Sequence, residues 1–268
     1  MADGGLAAMT VDPGRAGADP ALRGEGVGTP RSEPAARAQL HLILDWARFP
    51  HDLVGAAARA LEGGVDWVQI RARTVSAADL YALAREIAPR CRERGAGLLI
   101  NDRVDVALAV GADGVHLAAA SLAPAVVRAL VGPRRIIGCS VHALGDASAA
   151  ARDGADYVTF GHVFATASHP GVPPRGTAAL RRVVEAVARP VLAVGGITPD
   201  RVGALAATGC AGIAVVGAIL GAPDPAEAAR EFRRALAGWP RPHRPFPAGP
   251  ARGPAPQPAV RAGEDPRG

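Results

Sequence analysis

VALAVGADGVHL, residues 106–117, reads as the end of a helix, a glycine, and a short apolar strand. The same order recurs in ARDGADYVTFG (151–161) and in LAATGCAGIAVVG (205–217). A glycine after a helix supplies the left-handed cap from which the chain turns into the next strand. Working outward from these repeats, short apolar runs alternate with Ala/Leu/Arg-rich helical stretches. The runs are LHLIL (40–44), DWVQIR (66–71), GLLIN (97–101), DGVHL (113–117), RIIGCS (135–140), DYVTFG (156–161), PVLAVGG (190–196) and GIAVVG (212–217). Apolar runs this short and continuous are strands covered on both faces, and hence a parallel sheet. About eight such units in roughly 200 residues predict a (β/α)8 TIM barrel. A doubly wound open sheet is the alternative, but it usually carries a Gly-rich turn after its first strand, and LILDWARFPHD has none.

The barrel is expected over residues 39–238 as a single domain. Residues 1–38 lack periodicity, and 239–268 are dense in Pro and Arg, so both ends are expected to be disordered tails. Hydrophobic residues make up 49% of the 268, and aromatics only 4%, which requires an aliphatic core. The net charge of +5 owes part of its excess to the basic C-terminal tail, and no recognition motif supports nucleic-acid binding. The chain has no lysine, which excludes Schiff-base and P-loop lysine chemistry. Cys91, Cys139 and Cys210 are scattered, with no zinc spacing, and suit a reducing compartment. With no signal-peptide pattern and no membrane-length apolar run, a cytoplasmic protein is expected. A homo-oligomer is left open.

In such barrels the active site lies at the C-terminal ends of the strands. The residues just past the runs are Arg71 and Arg73, Asn101 and Asp102, Ser121, Ser140 and His142. After the sixth run, residues 162–176 form the longest loop, with His162, Thr166, Ser168, His169 and Arg175. Gly195, Gly196, Val216 and Gly217 end the last two strands. Glycines there either make tight turns or bring backbone N–H groups up to a phosphate. His142 either opens a helix at the surface or exchanges a proton with substrate. Asp102 is either a helix cap or a metal or substrate contact. His116 reads as either a core-edge or a mouth residue. Nothing resembles a nucleophile elbow, which argues against hydrolysis.

VDWVQIRART, NDRVDVALAVGADGVHL, GCSVHALGDA, ADYVTFGHVFATASHPGVPPRG, VLAVGGITPDRV and GIAVVGAI occur in order. Together they resemble the superfamily of thiamine-phosphate synthases and thiazole tautomerases. The resemblance implies a (β/α)8 barrel that handles a thiazole phosphate. The synthase branch carries Gln-x-Arg-x-Lys, a magnesium-binding Asp after GVHL, and Thr-x-Thr-Lys. This chain has Gln69-x-Arg71-x-Arg73, Ser121 after Ala118–Ala120, and Thr166-x-Ser168-His169. Two lysines and a carboxylate are therefore absent, and Asp102 stands alone. His162 in FGHVF and His142 in SVHALGDA look like the tautomerase branch.

The expectation is accordingly a thiazole tautomerase, an isomerase aromatising 2-carboxy-4-methylthiazol-5(2H)-ylidene ethyl phosphate. His142 would be its catalytic base. Arg71, Asn101, Ser140, His162 and the 166–169 segment would hold the ring and carboxylate. Gly195, Gly196, Val216 and Gly217 would hold the phosphate. No metal or organic cofactor is expected. The alternatives are a thiamine-phosphate synthase, with magnesium at Asp102, and a non-catalytic regulator that binds thiazole or thiamine phosphates.

Overall fold

Eight parallel strands hydrogen-bond in sequence order and close on themselves. They are β1 (Gln39–Asp45), β2 (Trp67–Arg71), β3 (Gly97–Asn101), β4 (Gly114–Leu117), β5 (Ile136–Val141), β6 (Tyr157–Gly161), β7 (Val191–Val194) and β8 (Gly212–Val215). All eight expected runs are strands, and the fold is the TIM barrel that the repeats predict. The computed structural model describes residues 37–49 and 51–247.

Most connections are helices: α1 (Leu53–Glu62), α2 (Ala77–Glu93), α3 (Val104–Ala109), α4 (Pro124–Val131), α5 (Leu144–Arg152), α6 (Gly176–Ala186), α7 (Val202–Ala206), α8 (Gly217–Leu220) and α9 (Pro225–Leu236). Polar side chains start several of them. Ser76 accepts from Asp79 N at 3.1 Å ahead of α2, and Asp224 accepts from Ala226 N at 2.9 Å ahead of α9. No helix among the described residues is long and apolar enough to cross a membrane.

Successive strand residues face opposite ways. Leu40, Leu42, Leu44, Val68 and Ile70 join the aliphatic core shared with the helices. Their neighbours Ile43, Asp45, Gln69 and Arg71 line the barrel's interior cavity. The aspartates that open three of the runs fix strand register. Asp66 accepts from Leu40 N, Asp113 from Leu98 N, and Asp156 from Ile137 N, each at 2.8 Å. Each carboxylate thus ties the start of an even-numbered strand to the odd-numbered strand before it. Arg233 of α9 binds Asp66 and reaches Gly64 O at 2.6 Å, fastening the last helix to the first β-α unit.

The N-terminal end of the barrel is filled by a separate aromatic and aliphatic cluster of Trp67, Leu99, Ile136, Tyr157, Leu192, Ala211 and Phe246. Phe246 lies in the stretch expected to be a disordered tail, and residues 239–247 differ from that expectation. Trp239 Nε1 donates to Cys210 O at 3.2 Å, and His243 N donates to Gly209 O at 3.1 Å. The Phe246 ring is fully buried, 4.8 Å from both His41 and Tyr157. Proline density stops a chain from forming helix or sheet, but it does not stop an extended chain from docking one aromatic side chain. Residues 1–36 and 248–268 of the expected tails lie outside the described residues.

Two predictions concern stability. Phe246→Ala opens a cavity under the barrel and should cost roughly 3–5 kcal/mol, read as a lowered urea midpoint. An unchanged midpoint would remove the segment from the fold's stability. His41 and His116 are both buried. Burial is the main cause that holds His41 well below its ordinary value and pushes His116 down to about 4. Both are neutral in the fold and take up protons near 6.5 when unfolded. Their contribution is complete above pH 6.5 and is lost as pH falls toward about 4. Urea midpoints should therefore fall between about pH 7 and 5, before carboxylates begin to titrate; a flat profile there would contradict the assignment.

Candidate active site

The C-terminal ends of the strands surround one cavity of about 1190 Å³. The residues expected at the site, apart from Arg175, line it. Arg71, Arg73, Asn101 and Asp102 come from the ends of β2 and β3. Ser140, His142 and His162 come from β5 and β6, and Thr166, Ser168 and His169 from the loop after β6. Gly195, Gly196, Val216 and Gly217 close the ring beside β1.

Arg71 is less free than expected, because its Nη1 donates to Asp45 Oδ2 at 2.6 Å. Asp45 is the last residue of β1 and nearly buried, so it aims the guanidinium along the wall. Arg73 lies further out on the same side. Arg48, from the loop after β1, donates to Ser168 Oγ and brings that loop against the one after β6. The mouth therefore carries several guanidinium groups where ammonium groups were sought, and it retains strong positive charge.

Asp102 does not cap α3, whose N-cap position is Arg103 with no side-chain bond. Its backbone is left-handed, with φ of 61°. Its carboxylate instead spans the gap between β3 and the loop after β4. Oδ1 accepts from Ser121 Oγ and, at 3.2 Å, from Ala118 N, and Oδ2 accepts from Asn101 Nδ2 at 2.6 Å. Asn101 Oδ1 in turn accepts from Gln69 Nε2 at 2.9 Å. A buried amide chain from β2 to β3 thus sets the angle of one carboxylate at the cavity wall. Among the described residues no group of three His, Cys, Asp or Glu side chains could hold a metal by itself.

The loop after β6 is held by its histidine. His162 is buried, its Nε2 donates to Val172 O at 3.1 Å, and its ring stacks on His169 at 4.9 Å. Burial, then the neighbouring His162 and His142 and two arginines, lower the His169 pKa below its ordinary value. Arg175 Nε donates to Gly161 O at 3.0 Å, so it braces the loop root. His142 Nδ1 lies 2.8 Å from the same carbonyl, which makes Nδ1 the donor. Gly195 and Gly196 have φ of 98° and 64°. A Cβ on Gly195 would stand 2.3 Å from His162 Cβ, so glycine is needed there for the loop's approach alone. The N–H groups of Gly195, Gly196, Val216 and Gly217 donate no turn or loop hydrogen bond among the described residues, which leaves them available to an anion.

His116 is the residue that the sequence undervalued. It is buried at the cavity floor, bonded to Tyr157 Oη and Ser140 Oγ, both at 2.9 Å. Asp45, Arg48, Tyr157 and Thr159 were missed. Asp45 was within reach of sequence reasoning, since it directly follows the first apolar run. The cysteines are buried and form no disulfide, and burial pushes the Cys139 thiol up to about 12, away from any nucleophilic role.

The family model described as thiamine monophosphate synthase matches residues 40–219. A thiamine-phosphate synthase from Chlorobium luteolum is 45% identical over 194 residues, 72% of this chain and 90% of the relative. One from Roseiflexus castenholzii is 41% identical over 74% of this chain and 87% of its own. The solved thiamine phosphate pyrophosphorylase from Pyrococcus furiosus superposes with a TM-score of 0.69 at 37% identity, covering 75% of this chain and 96% of that one. These synthases are transferases, and they overturn the expectation of a thiazole tautomerase and of an isomerase. His142 loses its catalytic assignment with that reading. The expectation rested on His142, on His162, which in the structure anchors a loop, and on two missing lysines and a missing carboxylate; arginines at the mouth still supply positive charge. The chain belongs to the thiamine monophosphate synthase family.

Proposed function

We propose that the protein is a thiamine-phosphate synthase, joining hydroxymethylpyrimidine diphosphate to thiazole phosphate with release of diphosphate. One observation carries the reading: a single cavity offers two separate places for phosphate groups, on either side of β1. Arg71 and Arg73 with Asp102 stand on the β2–β3 side, and the glycine turns on the β7–β8 side. A tautomerase substrate with one phosphate needs only one of them. Relatives at 41–45% identity that bear the synthase name support the same choice.

In the reaction the thiazole ring nitrogen bonds to the pyrimidine's methylene carbon. The carbon–oxygen bond to diphosphate breaks, and its electron pair leaves with the oxygen. No proton moves, so the protein's task is to place two substrates and to stabilise the charge that grows on the leaving group. Arg71, aimed by Asp45, and Arg73 meet the diphosphate. The N–H groups of Gly195, Gly196 and Gly217 meet the thiazole phosphate. Gln69 and Asn101 hold Asp102 in place.

Magnesium fits this donor set. The ion is ordinarily held by one or two carboxylates together with substrate phosphates and water, and Asp102 is one such carboxylate at the wall. Ser121 beside it is a neutral oxygen donor where the resemblance implies an Asp. When bound, magnesium supplies positive charge that offsets the departing diphosphate's.

Incubation with both substrates and Mg²⁺ should yield thiamine phosphate and diphosphate in equal amounts. Absence of both products would sink the proposal. Asp102→Asn should lower turnover by roughly 10²–10³-fold while the protein stays folded at the assay temperature. His142→Ala should cost less than about tenfold, because the step needs no general base.

A further inference from the structure

A line of hydrogen bonds runs below the cavity floor from Tyr157 through His116 to Ser140. Tyr157, the first residue of β6, is fully buried. Its ring lies across β5 at Gly138, where a Cβ would stand 2.1 Å from it, and packs on Phe246 at 4.8 Å. Tyr157 Oη meets His116 Nδ1 at 2.9 Å, and His116 Nε2 meets Ser140 Oγ at 2.9 Å. Thr159 Oγ1, at 3.5 Å from both that Nε2 and Ser140 Oγ, is too distant to compete for either. Ser140 and His116 line the cavity, and Tyr157 does not.

The direction of this chain follows from its donors. A neutral imidazole has one N–H and one bare nitrogen, and a phenol has one hydrogen to give. Among the described residues the Tyr157 hydroxyl has only His116 Nδ1 to give it to. With Nδ1 accepting, the ring hydrogen is on Nε2 and goes to Ser140 Oγ. The serine's own hydrogen is then left for an acceptor in the cavity. The opposite tautomer would strand the phenol hydrogen in the core, where an unpaired donor is costly. It would also turn Ser140's hydrogen inward and present only its lone pairs to the cavity.

We propose that Tyr157 is a positioning residue, which through His116 fixes Ser140 as a hydrogen-bond donor to a phosphate oxygen of a bound substrate. The inference rests on the synthase reading for the identity of that phosphate, the diphosphate or the thiazole phosphate. Tyr157→Phe keeps the ring and its packing and removes only the hydroxyl.

Nitrogen-15 spectra of the histidine side chains read the tautomer without any turnover. The wild-type protein should show His116 protonated at Nε2, and Tyr157→Phe should lose that preference. The single-turnover rate of the variant should fall about tenfold, and Tyr157→Phe combined with Ser140→Ala should be no slower than Ser140→Ala alone. Titration with inorganic diphosphate and with thiazole phosphate shows which ligand weakens in Tyr157→Phe, and so which phosphate Ser140 serves. His116 protonated at Nδ1 in the wild type would overturn the proposal. So would a Tyr157→Phe rate within twofold of wild type, or full additivity with Ser140→Ala. A wild-type protein with no synthase turnover would defeat the functional reading alone, and the tautomer and binding titrations would still decide this one.

Discussion

Closing eight parallel strands into a ring is the constraint on which the rest depends. Closure turns alternate side chains of every strand into a shared interior, and that interior has two ends with opposite demands. At the N-terminal end it must be filled, and Trp67, Leu99, Ile136, Tyr157, Leu192 and Phe246 fill it. At the other end it must stay open, and Gln69, Asn101, His116, Ser140 and Thr159 give it polar walls. A one-residue slip in any strand would exchange these interior residues with the aliphatic ones that face the helices. The carboxylates of Asp66, Asp113 and Asp156, each holding a neighbouring strand's N–H, resist such a slip.

The interior polar residues form hydrogen-bonded chains. Gln69, Asn101, His116 and Thr159 are buried and Ser140 is half-buried, and most of them find partners among themselves. Gln69 bonds Asn101, Asn101 bonds Asp102, and Tyr157 bonds His116, which bonds Ser140. These chains fix the orientation of the groups that face the cavity before any substrate arrives, which is the preorganisation that charge stabilisation requires. The arginines work from the rim and carry charge without entering the core.

The barrel was legible because apolar runs, helix-ending glycines and regular spacing are local signals. The residues at the mouth were legible too, since position after a strand end is enough to place them on the rim. Three kinds of feature were not. Register clamps such as Asp156 to Ile137 N join residues that only the folded sheet brings together. Phe246 sits in a composition that reads as tail, and nothing local says that one ring docks under the barrel. The branch assignment failed for a different reason. Motif departures at Arg73, Ser121 and His169 were read as lost chemistry, whereas the cavity still sets cationic charge beside a carboxylate. His162 was read as a marker of chemistry and is a loop anchor.

The claim at the centre of this account is that an all-arginine mouth with one carboxylate holds diphosphate together with magnesium. Calorimetric titration of diphosphate into the protein, with and without Mg²⁺, measures it directly. The account predicts binding that strengthens by at least about tenfold with Mg²⁺ and loses that gain in Asp102→Asn. Diphosphate binding that is indifferent to both the metal and Asp102 would contradict it.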